Sequence, residues 1–382
     1  MPQHEATELT RRVLAHMATD TLDVEDDVAF ESRDAFVGSE RFTADGDMLS
    51  KEPHVVGWSG EVAPGEYVTK DVMGVPVLIT RTRDGILHAF LNACSHRGAQ
   101  VATGYVAAQS ISCPYHGWTY GLNGRLTGVP ARRMFAGTDL DKRSLIEIPI
   151  SERCGLLTVG LSGDVELDAH LDTVEDSLSE YDFTGLRHYE TRRFEVAANW
   201  KLTIDINFEG YHIKFAHSET LAPLATNNSV YDIFGRHCRW AFPLRSIVEF
   251  AEMPESDWPP DFLGTLAYFL FPTTVLIVVP GTVQMLRVYP GSRPETSVVY
   301  LTQSASGPVD TDTDRQWYTG LLDATCRVFA DEDIPMAQAC QRGLDGGLPN
   351  VVFGRNEPLL HHLSRVWQEA IEIPATEEVR RS

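Results

Sequence analysis

Residues 94–118 read CSHRGAQVATGYVAAQSISCPYHGW, and the fold turns on how they are read. Cys94 and His96 stand one residue apart, sixteen residues follow, and Cys113 and His116 stand two residues apart. Two thiolates and two imidazoles on two short loops suit either a tetrahedral zinc ion or an iron–sulfur cluster. Gly98 and Gly117 allow backbone N–H groups to approach bridging sulfides where a side chain would interfere. Pro114 stiffens the second loop, and Trp118 and Tyr120 offer packing beneath it.

The order of the donors bears on the choice. Each loop supplies one Cys and one His, so the cysteines can bind one iron and the histidines the other, which is the ligand set of a Rieske [2Fe–2S] centre. A lone Cys-x-x-His pair is often incidental; two such loops bracketed by glycines are far more specific. The surrounding text agrees: EYVTKDV, VPVLITR, RDGILHAFLN and GLLTVGL are short β-type runs, and RDG between two of them is a hairpin signal.

The rest of the composition bounds the answer. The chain has 382 residues, 43% hydrophobic and 23% charged, which fits two domains, because one core seldom serves beyond roughly 250–300 residues. No run reaches the ~18 apolar residues of a membrane span, and the start lacks a signal peptide's apolar stretch, so a cytoplasmic protein is expected. A formal charge of −22 argues against nucleic acid as a partner. The remaining cysteines, Cys154, Cys238, Cys326 and Cys340, read as ordinary buried thiols, and His361–His362 as surface residues. The expected divisions are a helical arm at 1–48, a small all-β [2Fe–2S] domain at 49–163 and an α+β domain with an antiparallel sheet at 164–382.

A second constellation lies in NWKLTIDINFEGYHIKFAHSE, residues 199–219. Asp205, Glu209, His212 and His217 sit among Leu202, Ile204, Ile206, Phe208, Ile213 and Phe215, although taking charge out of water is costly unless something pairs with it. On a helix, 205, 209 and 212 fall at i, i+4 and i+7, on a single face. His217 lies about 140° round from His212 and joins the same site only if the helix ends or widens into a π-type turn between them. A Rieske centre moves single electrons, so something must use them. Two histidines and a carboxylate on one iron leave positions open for dioxygen.

CSHRGA…CPYHGW resembles the cluster motif of the Rieske non-heme iron oxygenases, specifically the ring-hydroxylating α subunits, and NWKLTIDINFEGYHIKFAH resembles their iron motif. The likeness runs from about residue 52 to 370, with the two motifs in the family's order. It implies a helix-grip catalytic domain, with His212 and His217 as iron ligands and Glu209 as the acid that bridges an iron-ligand histidine to a cluster histidine of the neighbouring subunit. Glu at that position is similar to the carnitine and choline monooxygenase branch. Asp205 is implied as a residue that orients the site, against the reading of a solvated helix-face acid.

The third ligand comes from FADEDIPMAQACQRGLDGG, which offers Asp331, Glu332 and Asp333. Likeness to the carnitine and choline type maps it to Asp333, whereas an acid before Pro335 could instead cap a helix. The resemblance further implies mononuclear Fe(II), O2 as co-substrate, NAD(P)H acting through a separate ferredoxin or flavin reductase, and a homotrimer, alone or with a β subunit. The expected reaction is hydroxylation or dihydroxylation of an aromatic or other small apolar molecule, as in aromatic hydrocarbon catabolism. Oxidative N- or O-demethylation of a quaternary amine or methoxy compound is the alternative, with Trp240, Phe242 and Tyr268 available for an aromatic cage. Outside this class stand a pure electron carrier and a zinc-stabilised protein that binds a hydrophobic ligand.

Overall fold

The computed structural model describes residues 3–163, 165–179, 181–279 and 281–372, which form two compact units. One comprises residues 50–171 and 182–187; the other comprises residues 1–49, 172–181 and 188–382. The helical arm expected at 1–48 thus clusters with the larger unit. Among the described residues no helix is long and apolar enough to cross a membrane.

The smaller unit is built from short strands, as the Gly- and Asp-punctuated text requires. Its five-stranded sheet runs Glu147–Ile148, Leu87–Leu91, Val75–Arg81, Glu66–Val72, Tyr105–Ala107. The RDG turn closes Val75–Arg81 onto Leu87–Leu91, with Gly85 at φ +90° and its N–H donated to Thr82 O at 2.9 Å. Two three-stranded sheets complete the unit, and one of them carries Thr119–Gly121 just after the second cysteine loop. Cys94 and Cys113 lie in the same apolar core as Tyr67, Leu78, Phe90, Trp118 and Tyr120.

The larger unit is organised on a seven-stranded sheet. Its strands are β1 (Arg187–Val196), β2 (Val230–Phe234), β3 (His237–Pro243), β4 (Gly264–Leu270), β5 (Thr274–Val279), β6 (Thr282–Pro290) and β7 (Ser297–Ala305), in the spatial order β1-β7-β6-β5-β4-β3-β2. Pairing is antiparallel from β2 through to β7. Strand alternation puts Trp240 and Phe242, Thr265 and Ala267, Ile277 and Val279, and Thr282, Gln284 and Leu286 on one face. The registers Trp240↔Ala267, Ala267↔Ile277 and Ile277↔Gln284 align four of them in a row across the sheet.

Helices α1 (Trp200–Asp205), α2 (Ile213–Ala216), α3 (Asp312–Val328), α4 (Ile334–Asp345) and α5 (Pro358–Glu372) accompany this sheet. A capping box between Thr311 and Asp314 starts α3. On α5, Leu359, Leu363, Val366 and Trp367 are buried, and His362 is buried with them, contrary to the surface expected for it. Cys340 is likewise exposed and Cys154 half-buried, whereas Cys238 and Cys326 are buried as expected.

Candidate active site

Side chains close both ends of α1. Asn199 accepts the Lys201 N–H at 2.9 Å, and Asn207 Nδ2 donates to the carbonyls of Thr203 and Ile204 at 3.0 and 3.2 Å. The chain turns through Glu209–Gly210 and resumes as α2, with His212 at its start and His217 at its end. The single helical face suggested for Asp205, Glu209 and His212 is therefore interrupted. The interruption sets Asp205 apart from the histidines; α2 itself ends at Ala216 with His217 as its C-cap, and Nε2 of His212 and Nε2 of His217 lie 3.0 Å apart.

The third donor arrives between α3 and α4, where Phe329–Asp333 form a π turn. Such a turn shifts the register of the helix and gathers at functional sites. Asp333 Oδ1 lies 2.9 Å from His217 Nε2 and 3.7 Å from His212 Nε2. Among the described residues, His212, His217 and Asp333 form the one group whose donor atoms all lie within 4.8 Å of one another. Asp333 makes no side-chain capping bond to α4, so the helix-cap reading fails.

Both remaining imidazole nitrogens are held by carboxylates. Glu209 accepts from His212 Nδ1, and its other oxygen accepts the His212 backbone N–H at 3.1 Å. Glu332 Oε2 accepts from His217 Nδ1 at 2.5 Å and from the Thr220 hydroxyl at 2.7 Å. Each pairing fixes the tautomer that presents Nε2 to the centre, the arrangement that metal-ligating histidines require. Glu332 therefore enters the site as a partner of His217, a role the sequence did not suggest, while Asp331 is exposed. Burial raises the carboxyl pKa of Asp333, against opposing pulls from His217 and His212. Burial also acts to raise that of Glu332, but the hydrogen bonds from His217 and Thr220 prevail and lower it. Two neutral imidazoles and one carboxylate are the donor set of a mononuclear non-heme iron with open positions, so the residues fit the ion.

Asp205 is not among the converging donors. It lines a small pocket with Glu31, Arg41 and Lys201, and burial holds its carboxyl well above the usual range against the pull of Lys201.

The three donors sit on the wall of a cavity of about 300 Å3. The sheet face described above is its floor; Leu321, Ala324, Thr325 and Val328 of α3, with Phe329, face it. Trp240 and Phe242 line it, with ring centroids 4.9 Å apart, as the sequence led us to expect of that segment. Tyr268 does not: it points to the other side of β4, where its hydroxyl meets Ser177 Oγ at 2.9 Å and Arg239 Nη1 at 3.2 Å.

In the smaller unit, Gly98 N–H donates to Cys94 O at 2.8 Å and Gly117 N–H to Cys113 O at 2.9 Å, so the two loops turn alike. Both glycines have positive φ, +77° and +69°. The cysteines are buried, His96 is half-buried and His116 is exposed. Their rings lie 4.6 Å apart, and His96 stacks on Trp118 at 4.9 Å. His96 Nδ1 is buried with no hydrogen-bond partner, as a nitrogen reserved for a metal would be. A single zinc holds its donors about 3.3–3.8 Å apart. Among the described residues no three of these four side chains bring donors within 4.8 Å of one another. They fit a binuclear cluster, not one ion.

Tyr120 contributes a hydroxyl beneath the first loop, 3.2 Å from Cys94 Sγ and 3.0 Å from Ser95 Oγ. It accepts the Ser95 N–H, and because Ser95 Oγ gives its own hydrogen to Arg143 O, the Tyr120 hydrogen is shared between Ser95 Oγ and the Cys94 sulfur. Burial, then the Cys94 contact, push the phenol up to about 12, so it keeps that hydrogen at neutral pH. Hydrogen bonds to cluster sulfurs favour the reduced state. Tyr120→Phe is expected to lower the cluster potential by about 40–60 mV, one hydrogen bond's worth for a one-electron couple. Protein-film voltammetry measures this, and an unchanged potential would remove Tyr120 from the role.

Comparison with known proteins agrees with this geometry. Residues 52–142 match the Rieske [2Fe–2S] domain, and residues 183–373 match the catalytic domain of the ring-hydroxylating α subunit. The glycine betaine monooxygenase oxygenase subunit of Chromohalobacter salexigens is 35% identical over 47% of this chain and 40% of its own length. The carnitine monooxygenase oxygenase subunit of Acinetobacter baumannii is 27% identical over 78% of this chain and 80% of its own. Among solved structures, a quaternary ammonium Rieske monooxygenase in complex with L-carnitine superposes with a TM-score of 0.75 at 21% identity, over 90% of this chain and 96% of that one. Naphthalene 1,2-dioxygenase from Rhodococcus sp. bound to indole gives 0.70 at 18%, over 96% and 99%. The cofactors are accordingly a Rieske [2Fe–2S] cluster and a mononuclear non-heme iron, supplied with electrons by a reductase or ferredoxin chain. With its catalytic-domain match spanning half its length, the chain belongs to the ring-hydroxylating oxygenase α-subunit family.

Proposed function

We propose that His212, His217 and Asp333 hold the ferrous ion, that Cys94, His96, Cys113 and His116 hold the cluster, and that the protein hydroxylates or dihydroxylates a small apolar substrate. The observation that carries this reading is the convergence of three donors, two of them backed by carboxylates, on the wall of an apolar cavity. When bound, the iron supplies O2 activation and the cluster supplies electrons one at a time. Glu209 and Glu332 keep each imidazole in the tautomer that leaves Nε2 free. The apolar cavity floor excludes water from beside the donors and seats the substrate there. Asp205 acts at one remove, from the end of α1 and beside the small pocket it lines with Lys201 of the same helix.

We further propose a head-to-tail trimer in which Glu209 links His212 to a cluster histidine of the next subunit. A ring-closing heterologous interface fits this. In support, Tyr211 and Phe215 beside His212 are 59% and 71% exposed, and Tyr115 beside His116 is 55% exposed. A second reading, oxidative N-demethylation of a quaternary amine, draws support from the Trp240–Phe242 pair and from the substrates named for the relatives.

Metal and sulfide analysis of anaerobically purified protein tests the assignment, alongside EPR of a dithionite-reduced sample. About three irons and two sulfides per chain with a Rieske signal are expected. Zinc without sulfide would overturn both sites.

A further inference from the structure

We infer that the cavity selects an uncharged substrate and orients it through one hydroxyl or primary-amide group held by Gln284 and Thr325. This rests on reading the cavity as the substrate site. The polarity of a buried hydrogen-bond chain carries the inference. Gln303, fully buried, donates from Nε2 to the Ser304 carbonyl at 2.8 Å and to Thr282 Oγ1. A carbonyl only accepts, so this bond fixes which way the Gln303 amide faces. Gln303 Oε1 must then accept from Gln284 Nε2, at 2.7 Å. Gln284 Oε1 in turn accepts the Thr325 hydroxyl hydrogen, at 3.0 Å.

Two capacities are left over on residues that line the cavity. Gln284 Nε2 has a second hydrogen, and Thr325 Oγ1, its hydrogen already given, has only lone pairs to offer. One donor beside one acceptor matches a hydroxyl or a primary amide, which can receive from the first and give to the second. The pair also sets an orientation. Gln284 is the last cavity-lining member of the cross-strand row Trp240, Ala267, Ile277, Gln284, so an apolar body lies along the row with its polar group at the Gln284 end.

The same lining argues against charge. Among the described residues around the cavity there is no Lys or Arg, and the one acid is Asp333. A carboxylate seated at the Gln284 end would lose its water and meet the lone pairs of Thr325 Oγ1 with no Lys or Arg beside it, while the ferrous ion proposed for the site has Asp333 as its own carboxylate. The zwitterions named for the relatives carry such a group; this cavity does not provide for it.

The test is anaerobic isothermal titration of the holoprotein with three probes of one shape: naphthalene, 2-naphthol and 2-naphthoate. The expected result is 2-naphthol binding about tenfold more tightly than naphthalene, with no measurable binding of 2-naphthoate. Thr325→Val, which preserves shape, and Gln284→Leu should each bring the ratio of 2-naphthol to naphthalene affinity down to about one. Equal affinity for naphthalene and 2-naphthol, equal losses for both in the variants, binding of neither, or 2-naphthoate binding as tightly as 2-naphthol would each overturn the inference. The titration reads heat and not turnover, and iron and sulfide are assayed on the same sample, so a failure of the oxygenase reading shows separately.

Discussion

Asp333→Ala should reduce the iron content from about three to about two atoms per chain while leaving the Rieske EPR signal intact, with turnover lost to background. Among the described residues, the change removes the only carboxylate oxygen that meets both His212 Nε2 and His217 Nε2, at 3.7 and 2.9 Å. Two imidazoles remain, too few to retain the metal against water. The cluster signal should persist because its four donors belong to the other compact unit. Replacement of Glu332 by Gln should behave differently: the amide still accepts from His217 Nδ1, so iron falls in affinity by about 10–100-fold but is not abolished. If Asp333→Ala keeps its third iron and Glu332→Gln loses it, the ligand is Glu332 and the assignment is wrong.

How much of this could be seen in the sequence depended on how local each feature was. The cluster loops were fully legible, because Cys94–His96 and Cys113–His116 are each a single turn and need no tertiary information beyond their meeting. The alternating runs and the RDG turn likewise encode their own strands. Asp333 was harder to separate from Asp331 and Glu332. The π turn that aims it has no hydrophobic period of its own and interrupts an otherwise helical pattern. The spacing of Asp205, Glu209 and His212 read as one helical face, yet α1 ends at Asp205, where the Asn207 side chain takes up the Thr203 and Ile204 carbonyls. The helix end expected between His212 and His217 is found at Ala216, with His217 as the C-cap.

Strand register was the other blind spot. Trp240, Phe242 and Tyr268 are all aromatic and all on sheet strands, so each looked equally able to face a guest. Trp240 is paired with Ala267, so it is Ala267 that shares its face, and Tyr268, one residue on, faces the opposite way. Nothing local to residue 268 records that pairing. The same holds for α3: nothing local to it records that Leu321, Ala324, Thr325 and Val328 line the cavity.

Glu209→Gln isolates charge from shape. The glutamine carbonyl still accepts from His212 Nδ1, so the imidazole keeps its tautomer and the iron should stay near full occupancy. What disappears is the negative charge that balances the histidine and, in the proposed trimer, links it to a cluster histidine of the neighbouring subunit. The expected result is an unchanged cluster spectrum and iron content with product formation down by about 100-fold or more, beyond the loss usual for an outer-shell carboxylate alone. Stopped-flow reduction followed by anaerobic transfer to O2 locates the defect: the cluster should accept its electron normally from dithionite and then fail to give it up when substrate is bound. An alternative account, in which Glu209 only steadies α2, predicts instead that iron is partly lost and that cluster reoxidation keeps its normal rate in the molecules that retain it. Full activity in the variant would remove Glu209 from the electron path and leave it as a partner of His212, with no other role.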